Sequence, residues 1–203
     1  MLLPALTNAR IKAKNIGCLN NLRQMGLAQM EYSSDHDDLI LQPGDTSWPF
    51  YVTLSEYGCK YFGSQTAKGT FACPNEPIGF GSYTVGLFRY THYAVNDMMC
   101  SNEVLRKLSS LISSSQATLI IDSGRRSTFK LNYYSLMAFR HGTVNYIDAS
   151  TSNLNYGYPT CTAPAHILFV DGHATGWRIQ ELHAVAINQF ELTNAVLRRG
   201  YRP

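Results

Sequence analysis

Residues 1 to 32, MLLPALTNARIKAKNIGCLNNLRQMGLAQMEY, decide how the rest of the chain is arranged. Small or apolar residues recur there in steps of three and four, which places them on one face of a helix. These residues are Leu2, Leu6, Ala9, Ala13, Ile16, Leu19, Leu22, Met25 or Gly26, and Met30. The other side carries Arg10, Lys12, Asn15, Asn21, Gln24 and Gln29. The pattern predicts one helix from Met1 to Tyr32, with Pro4 near its start, where proline is tolerated.

The amino-acid composition limits the classes of protein to which the chain can belong. A chain of 203 residues favours one domain, and its low content of charged residues, 15%, with thirteen tyrosines, favours β structure and an exported protein. The net charge is only +3, and no basic patch is interleaved with aromatic residues, so nucleic acid is not an expected partner. The sequence contains no signal peptide and no apolar run long enough to span a membrane.

The remaining elements are predicted from shorter patterns. Apolar or aromatic stretches predict strands at 90–96, 117–122, 136–140, 165–170 and 173–178. The stretch 117–122 is apolar on both faces, which is typical of a central strand. Asp171 and Gly172 predict a tight turn between the last two strands. A second helix is predicted from Gln180 to Arg199, ending at Gly200. The fold class is therefore α+β: a long N-terminal helix packed on an antiparallel sheet of about four or five strands, as is usual for small sheets, plus a C-terminal helix.

Several motifs of the chain match one known family. They are Leu3-Pro4-Ala5-Leu6, Ala9-Arg10, Cys18, Asn20-Asn21-Leu22, Gln24, Gly26 and Tyr32 in the first helix, Phe71-Ala72-Cys73-Pro74, and Arg140-His141-Gly142 with Asn145 and Asp171-Gly172. Together they resemble bacterial prepilin-type proteins, the type IV pilins and type II secretion pseudopilins. The resemblance implies a single pilin-like domain, with the helix at 1–33, a loop-rich sheet head at 34–178 and the C-terminal helix at 179–199.

The resemblance also implies a function. Members of the family are structural subunits, not enzymes, and their partners are other pilin or pseudopilin subunits, the inner membrane and a prepilin peptidase. A short leader is cleaved before a methylated Phe, and a segment of about 20 apolar residues, enough to span a bilayer, runs into the stretch seen here. We therefore expect such a segment before Met1, which anchors the protein in the inner membrane with its head in the periplasm or outside the cell.

The chain departs from the family in one place. Relatives have the Asp-Gly pair about nine residues after the His, whereas positions 142 to 170, 29 residues, separate His141 from Asp171 here. We predict an insertion from Asp148 to Pro164, so a contact between His141 and Asp171 is not carried over from the family. The loop tyrosines Tyr146, Tyr156 and Tyr158 leave open an alternative function. They could stack on a carbohydrate or a partner protein, in an exported binding module such as a minor pilin or adhesin.

No residue pattern points to catalysis or to a cofactor. His141, His166, Asp171 and His173 could be imagined as a metal cluster, but no helical spacing holds them on one face. There is no G-x-S-x-G motif for a nucleophile, and Gly79-Phe80-Gly81 is a poor match to a phosphate-binding loop. We therefore predict no catalytic, cofactor-binding or metal-binding residues, and we interpret His141, Asp171 and Gly172 as a structural hairpin-and-strand element.

Two smaller features keep alternatives open. Asp35-His36-Asp37-Asp38 is interpreted as an exposed acidic turn, although three carboxylates could hold a calcium ion. His92 is interpreted as a half-buried residue of a strand.

The five cysteines, Cys18, Cys59, Cys73, Cys100 and Cys161, contain no C-x-x-C pair, which disfavours a zinc ribbon. In an oxidising compartment up to two disulfides could form. We predict at least one disulfide among Cys59, Cys73, Cys100 and Cys161, with Cys18 free on the helix.

The first helix should be only partly covered by the head. We expect the side that contains Leu6, Ala9, Ala13, Ile16 and Leu22 to pack on the sheet, at least from Ile16 onward. The turns from Leu2 to Arg10 should protrude beyond the head. The chain as given should be monomeric or weakly associated, because the contacts of a filament would come chiefly from the upstream apolar segment.

Overall fold

The computed structural model describes residues 3–45, 48–61, 69–76, 91–99, 106–124, 128–132, 137–141, 163–178 and 180–181. Within them lie two α-helices, α1 (Leu3–Asp35) and α2 (Phe50–Glu56), and a 3-10 turn at Leu108–Ser110. The strands are β1 (Tyr93–Asn96), β2 (Thr118–Asp122), β3 (Lys130–Leu131), β4 (Pro164–Phe169) and β5 (Ala174–Arg178). The predicted α+β class is confirmed: a long helix packs against a five-stranded sheet.

The sheet has the strand order β3-β1-β2-β4-β5 and is antiparallel except for the β1–β3 pair. All five residues of β2 are buried, as expected for a central strand with both faces covered. The predicted turn at Asp171-Gly172 joins β4 to β5, and Gly172 has φ +87°, a conformation in which glycine has no steric cost. The residues of β2 and of this hairpin were therefore predicted correctly.

Helix α1 lies across one face of the sheet, and the main core lies between them. Cys18, Leu22, Met25 and Ala28 of α1 are buried there. The helix lies close to the β4–β5 hairpin at Gly26. A Cβ atom at Gly26 would lie 3.0 Å from Leu168 Cδ1 and 3.1 Å from the Cα atom of Gly172. A side chain at this crossing would therefore force its neighbours to shift.

The prediction of the first helix is confirmed, but the predicted buried face is wrong at both ends. Ile16 is 57% exposed and Met30 is also exposed, whereas Gln29 is completely buried. Gln29 is accommodated because both polar atoms of its amide have a hydrogen-bond partner. Its Oε1 accepts the backbone N–H of Leu41 at 3.0 Å, and its Nε2 donates to Ser33 Oγ at 2.7 Å. A buried polar side chain with such partners costs little.

The prediction of a strand at 136–140 is wrong for the part that the structure describes. Of residues 137–141, only Met137 forms a bridge, with Ser123. The segment lies beside the end of β2, since Ala138 N–H donates to the backbone oxygen of Asp122 at 2.9 Å. Conversely, the two-residue strand β3, parallel to β1, was not predicted, because two residues carry no periodic signal.

The remaining predictions fall mostly on residues outside the described part of the chain. Gln180 and Glu181 are helical, but the rest of the predicted C-terminal helix is not among the described residues. The same holds for the predicted insertion up to 162, and its last residue, Pro164, is instead the first residue of β4. Neither α1 nor α2 has the length and hydropathy needed to cross a bilayer.

Candidate functional site

The first half of α1 extends beyond the head and contacts it only near its end, through Asn15 and Gly17. Residues 3–17 include no buried side chain, and the first buried residue of the helix is Cys18. The apolar side chains there face solvent, with Leu3 79% and Leu6 52% exposed. The predicted protrusion of the first turns is therefore confirmed for residues 3–10. We call residues 3–17 the protruding half of α1.

Two further exposed apolar residues lie on the outer side of the helix. Ile16 is 57% and Leu27 is 68% exposed, and their separation of eleven positions corresponds to about three turns, so both point the same way. The buried residues Cys18 and Leu22 lie on the opposite side of the helix. Helix α1 thus has one apolar side against the sheet and an exposed side on which Ile16 and Leu27 flank the polar pair Asn20 and Arg23. We call this exposed side the outer stripe of α1.

A second notable feature is a set of ionisable side chains inside the head. Asp122 ends β2, His166 lies in the neighbouring strand β4, Arg140 and His141 follow the bridge at Met137, and Glu76 ends the segment 69–76. We call these five residues the buried charge cluster. The side chains of Asp122 and His141 are 0% exposed, and those of Arg140 and Glu76 are 1% and 6% exposed.

The cluster is held by short polar contacts. His141 Nε2 lies 2.6 Å from Asp122 Oδ2, which also accepts the backbone N–H of His166 at 2.7 Å. Arg140 lies 3.2 Å from Glu76 Oε2 and donates to the backbone oxygen of Ser123. The cluster therefore ties the segments 69–76 and 137–141 to the middle of the sheet.

These contacts fix the protonation states of the central pair. Burial alone would raise the pKa of Asp122, but the charge and hydrogen bond of His141 outweigh burial and lower it to about 2. Burial likewise would lower the pKa of His141, but the charge and hydrogen bond of Asp122 raise it to about 9. At neutral pH the pair is accordingly an imidazolium–carboxylate ion pair.

His166 is held neutral beside this pair. Its ring stacks on that of His141, with ring centroids 3.6 Å apart and an angle of 7° between the planes. Burial lowers the pKa of His166 to about 4, and the charge of His141 adds to this effect. A second proton would place two cations in contact. His166 Nδ1 and Asp122 Oδ1 are buried and have no hydrogen-bond partner within the described structure.

The geometry does not favour catalysis by the cluster. His141 Nε2 faces both Asp122, at 2.6 Å, and Cys73 Sγ, at 3.9 Å. A Cys-His-Asp relay needs one ring nitrogen for each partner, whereas here a single nitrogen serves both. The thiol of Cys73 is also buried, at 2% exposure, so a substrate would not reach it.

Two groups of potential metal ligands come together among the described residues. One is Cys18, Cys73 and His141, and the other is Asp122, His141 and His166. In the second group the stacked rings keep the nitrogen lone pairs in two parallel planes, so both histidines cannot point at one ion. In both groups His141 would have to release the proton that it shares with Asp122 before it could bind a metal, which weakens metal binding at neutral pH. The arrangement therefore suits an ion pair better than a metal centre.

The histidines and aspartates noted in the sequence separate into two places. Asp171 and His173 pair with each other on the exposed β4–β5 turn, where His173 Nδ1 lies 2.6 Å from Asp171 Oδ1. His141 instead joins His166 and Asp122. Sequence reasoning missed the role of Asp122, although its position at the end of a strand that is otherwise apolar or hydroxylic was a signal that a buried partner was needed.

Other polar residues noted in the sequence have structural contacts. The side chain of Ser109 and its backbone N–H, the latter 2.9 Å from Asp38 Oδ2, hydrogen-bond to Asp38, which lowers the pKa of Asp38 and fixes the loop after α1. His92 is fully buried, not half-buried as predicted, and its Nδ1 accepts the backbone N–H of Cys73 at 2.9 Å. The loop tyrosines Tyr146, Tyr156 and Tyr158, and residues 79–81, lie outside the described residues.

The cysteines are placed differently from the prediction. Cys18, Cys59 and Cys73 are free thiols, so the structure contains no bond between Cys59 and Cys73. Cys18 is free as predicted, but it is buried beside Cys73, a neighbour that the sequence did not suggest. Cys100 and Cys161 lie outside the described residues, and the prediction of a disulfide that involves them stays a prediction.

Comparisons of the chain with protein-family models, with curated proteins and with solved structures found no match.

Proposed function

We propose that this protein is a structural, pilin-like subunit of a bacterial envelope assembly, either a type II secretion pseudopilus or a type IV pilus. The observation that carries the proposal is the arrangement of α1. The helix has 33 residues, a length of about 50 Å, and only the part from Cys18 onward has buried side chains. A helix that is half embedded in a head and half free is the form needed when subunits bundle their helices into a filament.

The exposed apolar residues support an assembly through helices. Leu3 and Leu6 on the protruding half, and Ile16 and Leu27 on the outer stripe, are all more than half exposed. Exposed apolar residues spread along a helix are available for packing against neighbouring helices. In the proposed filament, neighbouring copies or related subunits cover these residues.

The charge of α1 is compatible with this role. Residues 3–30 contain Arg10, Lys12, Lys14 and Arg23 and no acidic residue. Since the first acidic residue of the helix is Glu31, the protruding half has a single sign of charge. Basic residues beside a membrane-anchored segment would contact anionic lipid headgroups. The proposed partners are therefore the inner membrane and other subunits, and the proposed mechanism is assembly instead of turnover.

The proposal is tested by fractionating the gene product together with whatever the gene encodes before Met1. We expect the product in the inner-membrane fraction, and we expect coexpressed prepilin peptidase to shorten it by a leader of a few residues. A version that starts at Met1 is the matched control and should not enter the membrane. Full-length product in the cytosol that is neither membrane-associated nor shortened by the peptidase would contradict the proposal.

A further inference from the structure

Cys18 and Cys73 face each other where α1 contacts the segment 69–76. Their sulfur atoms lie within 4.8 Å of each other, and the two residues are 0% and 2% exposed. Cys18 also accepts a hydrogen bond from the backbone N–H of Asn75. The two thiols are therefore a buried, closely spaced pair that joins distant parts of the chain.

The backbones around this pair are pressed together. A Cβ atom at Gly17 would lie 3.3 Å from the ring of Pro74, so the residue before one cysteine nearly touches the residue after the other. One turn further along α1, Asn21 Nδ2 donates to the backbone oxygen of Ala72 at 2.9 Å. Two cysteines can be bridged only when their backbones approach closely, and the contacts on both sides of the pair provide this approach.

The surroundings make Cys73 the more nucleophilic of the two thiols. Burial would raise the pKa of Cys73, but the thiol of Cys18 and the ring of His141 outweigh burial and lower it to about 5. The neighbouring Cys73 and burial raise the pKa of Cys18. The thiolate is the form that attacks a disulfide. One cysteine is thus prepared to attack and the other to resolve the intermediate.

We propose that Cys18 and Cys73 form a disulfide that fastens α1 to the segment 69–76. The oxidant is an external disulfide, such as oxidised glutathione or a dithiol oxidase. The Cys73 thiolate attacks one of its sulfur atoms, which forms a mixed disulfide and releases one thiolate. Cys18, as thiolate, then attacks Cys73 Sγ and expels the second thiol. The two cysteines lose two protons and two electrons, and the external disulfide is reduced to two thiols.

The bond forms as the segment 69–76 approaches α1, when Cys73 already lies beside Cys18 and His141 but neither thiol is yet buried as it is once docking is complete. The inference goes beyond the proposed function and does not depend on it. A bridge between positions 18 and 73 closes a long loop, and disulfides stabilise mainly by restricting such loops in the unfolded chain.

The test is to refold the chain from urea in a buffer of oxidised and reduced glutathione and then to block the remaining thiols with N-ethylmaleimide under denaturing conditions, because Cys18, Cys59 and Cys73 are buried in the folded protein. Mass spectrometry of the digest should show one peptide pair linked through Cys18 and Cys73, with Cys59 blocked. The linked protein should unfold at higher urea concentration than the same protein reduced with dithiothreitol. The equilibrium constant for unfolding should be about a thousandfold smaller in the linked form.

Matched variants separate this bond from other thiol chemistry. The Cys59→Ser variant removes another buried cysteine and should keep both the linked peptide and the shift in urea. The Cys18→Ser and Cys73→Ser variants should lose the linked peptide and the shift in urea. If these variants do not fold, the mass spectrum of the wild type still shows whether the disulfide forms. Folded wild type in which oxidised glutathione leaves Cys18 and Cys73 open to blocking would overturn the proposal. So would a different partner for either cysteine, or one tightly bound zinc ion per chain that protects both thiols until a chelator removes it.

Discussion

At the scale of single residues, the charges within the buried charge cluster sum to zero, and the Cys73 thiolate lies beside the cluster as a further negative charge. Asp122 and Glu76 are balanced by Arg140 and by His141 in its protonated form. Isolated buried charges are very costly, and paired ones roughly offset their desolvation when their hydrogen bonds are satisfied. We conclude that the buried charge cluster specifies how the loops dock on the sheet more than it adds to the free energy of folding.

The protonation of His166 makes stability depend on pH. The pKa of His166 is about 4 in the folded protein, against 6.5 for an ordinary histidine. As the pH falls from 6.5 to 4, the unfolded chain binds a proton that the folded protein does not, so the free energy of unfolding decreases, by up to about 3 kcal/mol. The His166→Gln variant should lose this part of the pH dependence. Urea unfolding of wild type and variant between pH 7 and pH 4 measures the difference.

Comparing the pH profiles of wild type and the His166→Gln variant distinguishes the contribution of His166 from those of the other titrating groups. Asp122, with its pKa lowered to about 2, loses its contribution as the pH falls from 3.8 through 2. His141, with its pKa raised to about 9, contributes fully below 6.5 and loses its contribution as the pH rises through 9. Cys73, with its pKa lowered to about 5, also decreases the free energy of unfolding as the pH falls. Because wild type and the His166→Gln variant both contain Cys73, its contribution cancels in the comparison. The His173→Gln variant, at an exposed turn, is the control. Equal pH profiles for wild type and His166→Gln would contradict the assignment.

At the scale of elements, the sequence predicted which segments form helices and strands better than how they pack. The period of α1 and the apolar run of β2 are strong local signals, and both elements are present as predicted. The buried side of α1 was only partly predictable. The helix has apolar residues on two sides, and only contacts from distant segments select the side that holds Cys18 and Leu22. The partners of Gln29 and Asp122 are equally remote in sequence, so the buried charge cluster could not be found from local patterns.

The crossing of α1 over the β4–β5 hairpin provides a test at this scale. In the Gly26→Ala variant, the new methyl group would meet Leu168 and the backbone of Gly172 at 3.0 and 3.1 Å. Overpacking of this kind costs about 1 to 3 kcal/mol, which exceeds the gain of up to about 1 kcal/mol in helix propensity. We expect a net loss of about 1 to 2 kcal/mol in the free energy of unfolding, measured by urea denaturation.

The control for this prediction is the Gly17→Ala variant, on the same helix. Its methyl group would lie 3.3 Å from the edge of the Pro74 side chain, a looser contact than one with backbone. The gain in helix propensity should then offset the contact, and stability should change by less than about 1 kcal/mol. A Gly26→Ala variant as stable as wild type would show that α1 does not cross the hairpin as closely as described.

At the scale of the whole molecule, the head contains the apolar clusters and the protruding half of α1 is exposed. The head is a sheet with α1 packed on one face, and a second apolar cluster, including Ala94, Ile121 and Ile167, lies away from the helix core. The protruding half of α1 contributes no buried residue to either cluster. Substitutions there should therefore leave the head folded while they change contacts between copies.

The central claim is that copies of this protein associate through the outer side of α1. It is tested most directly by placing a photo-crosslinking amino acid at Ile16 of the full-length protein in its host. A second protein, with the same amino acid at Asn8, an exposed residue on another side of the helix, is the control. The account predicts cross-linked species in the membrane or filament fraction that contain two or more pilin-like subunits, more abundant from position 16 than from position 8. Protein that is cross-linked equally poorly at both positions and fractionates with the cytosol would contradict the account.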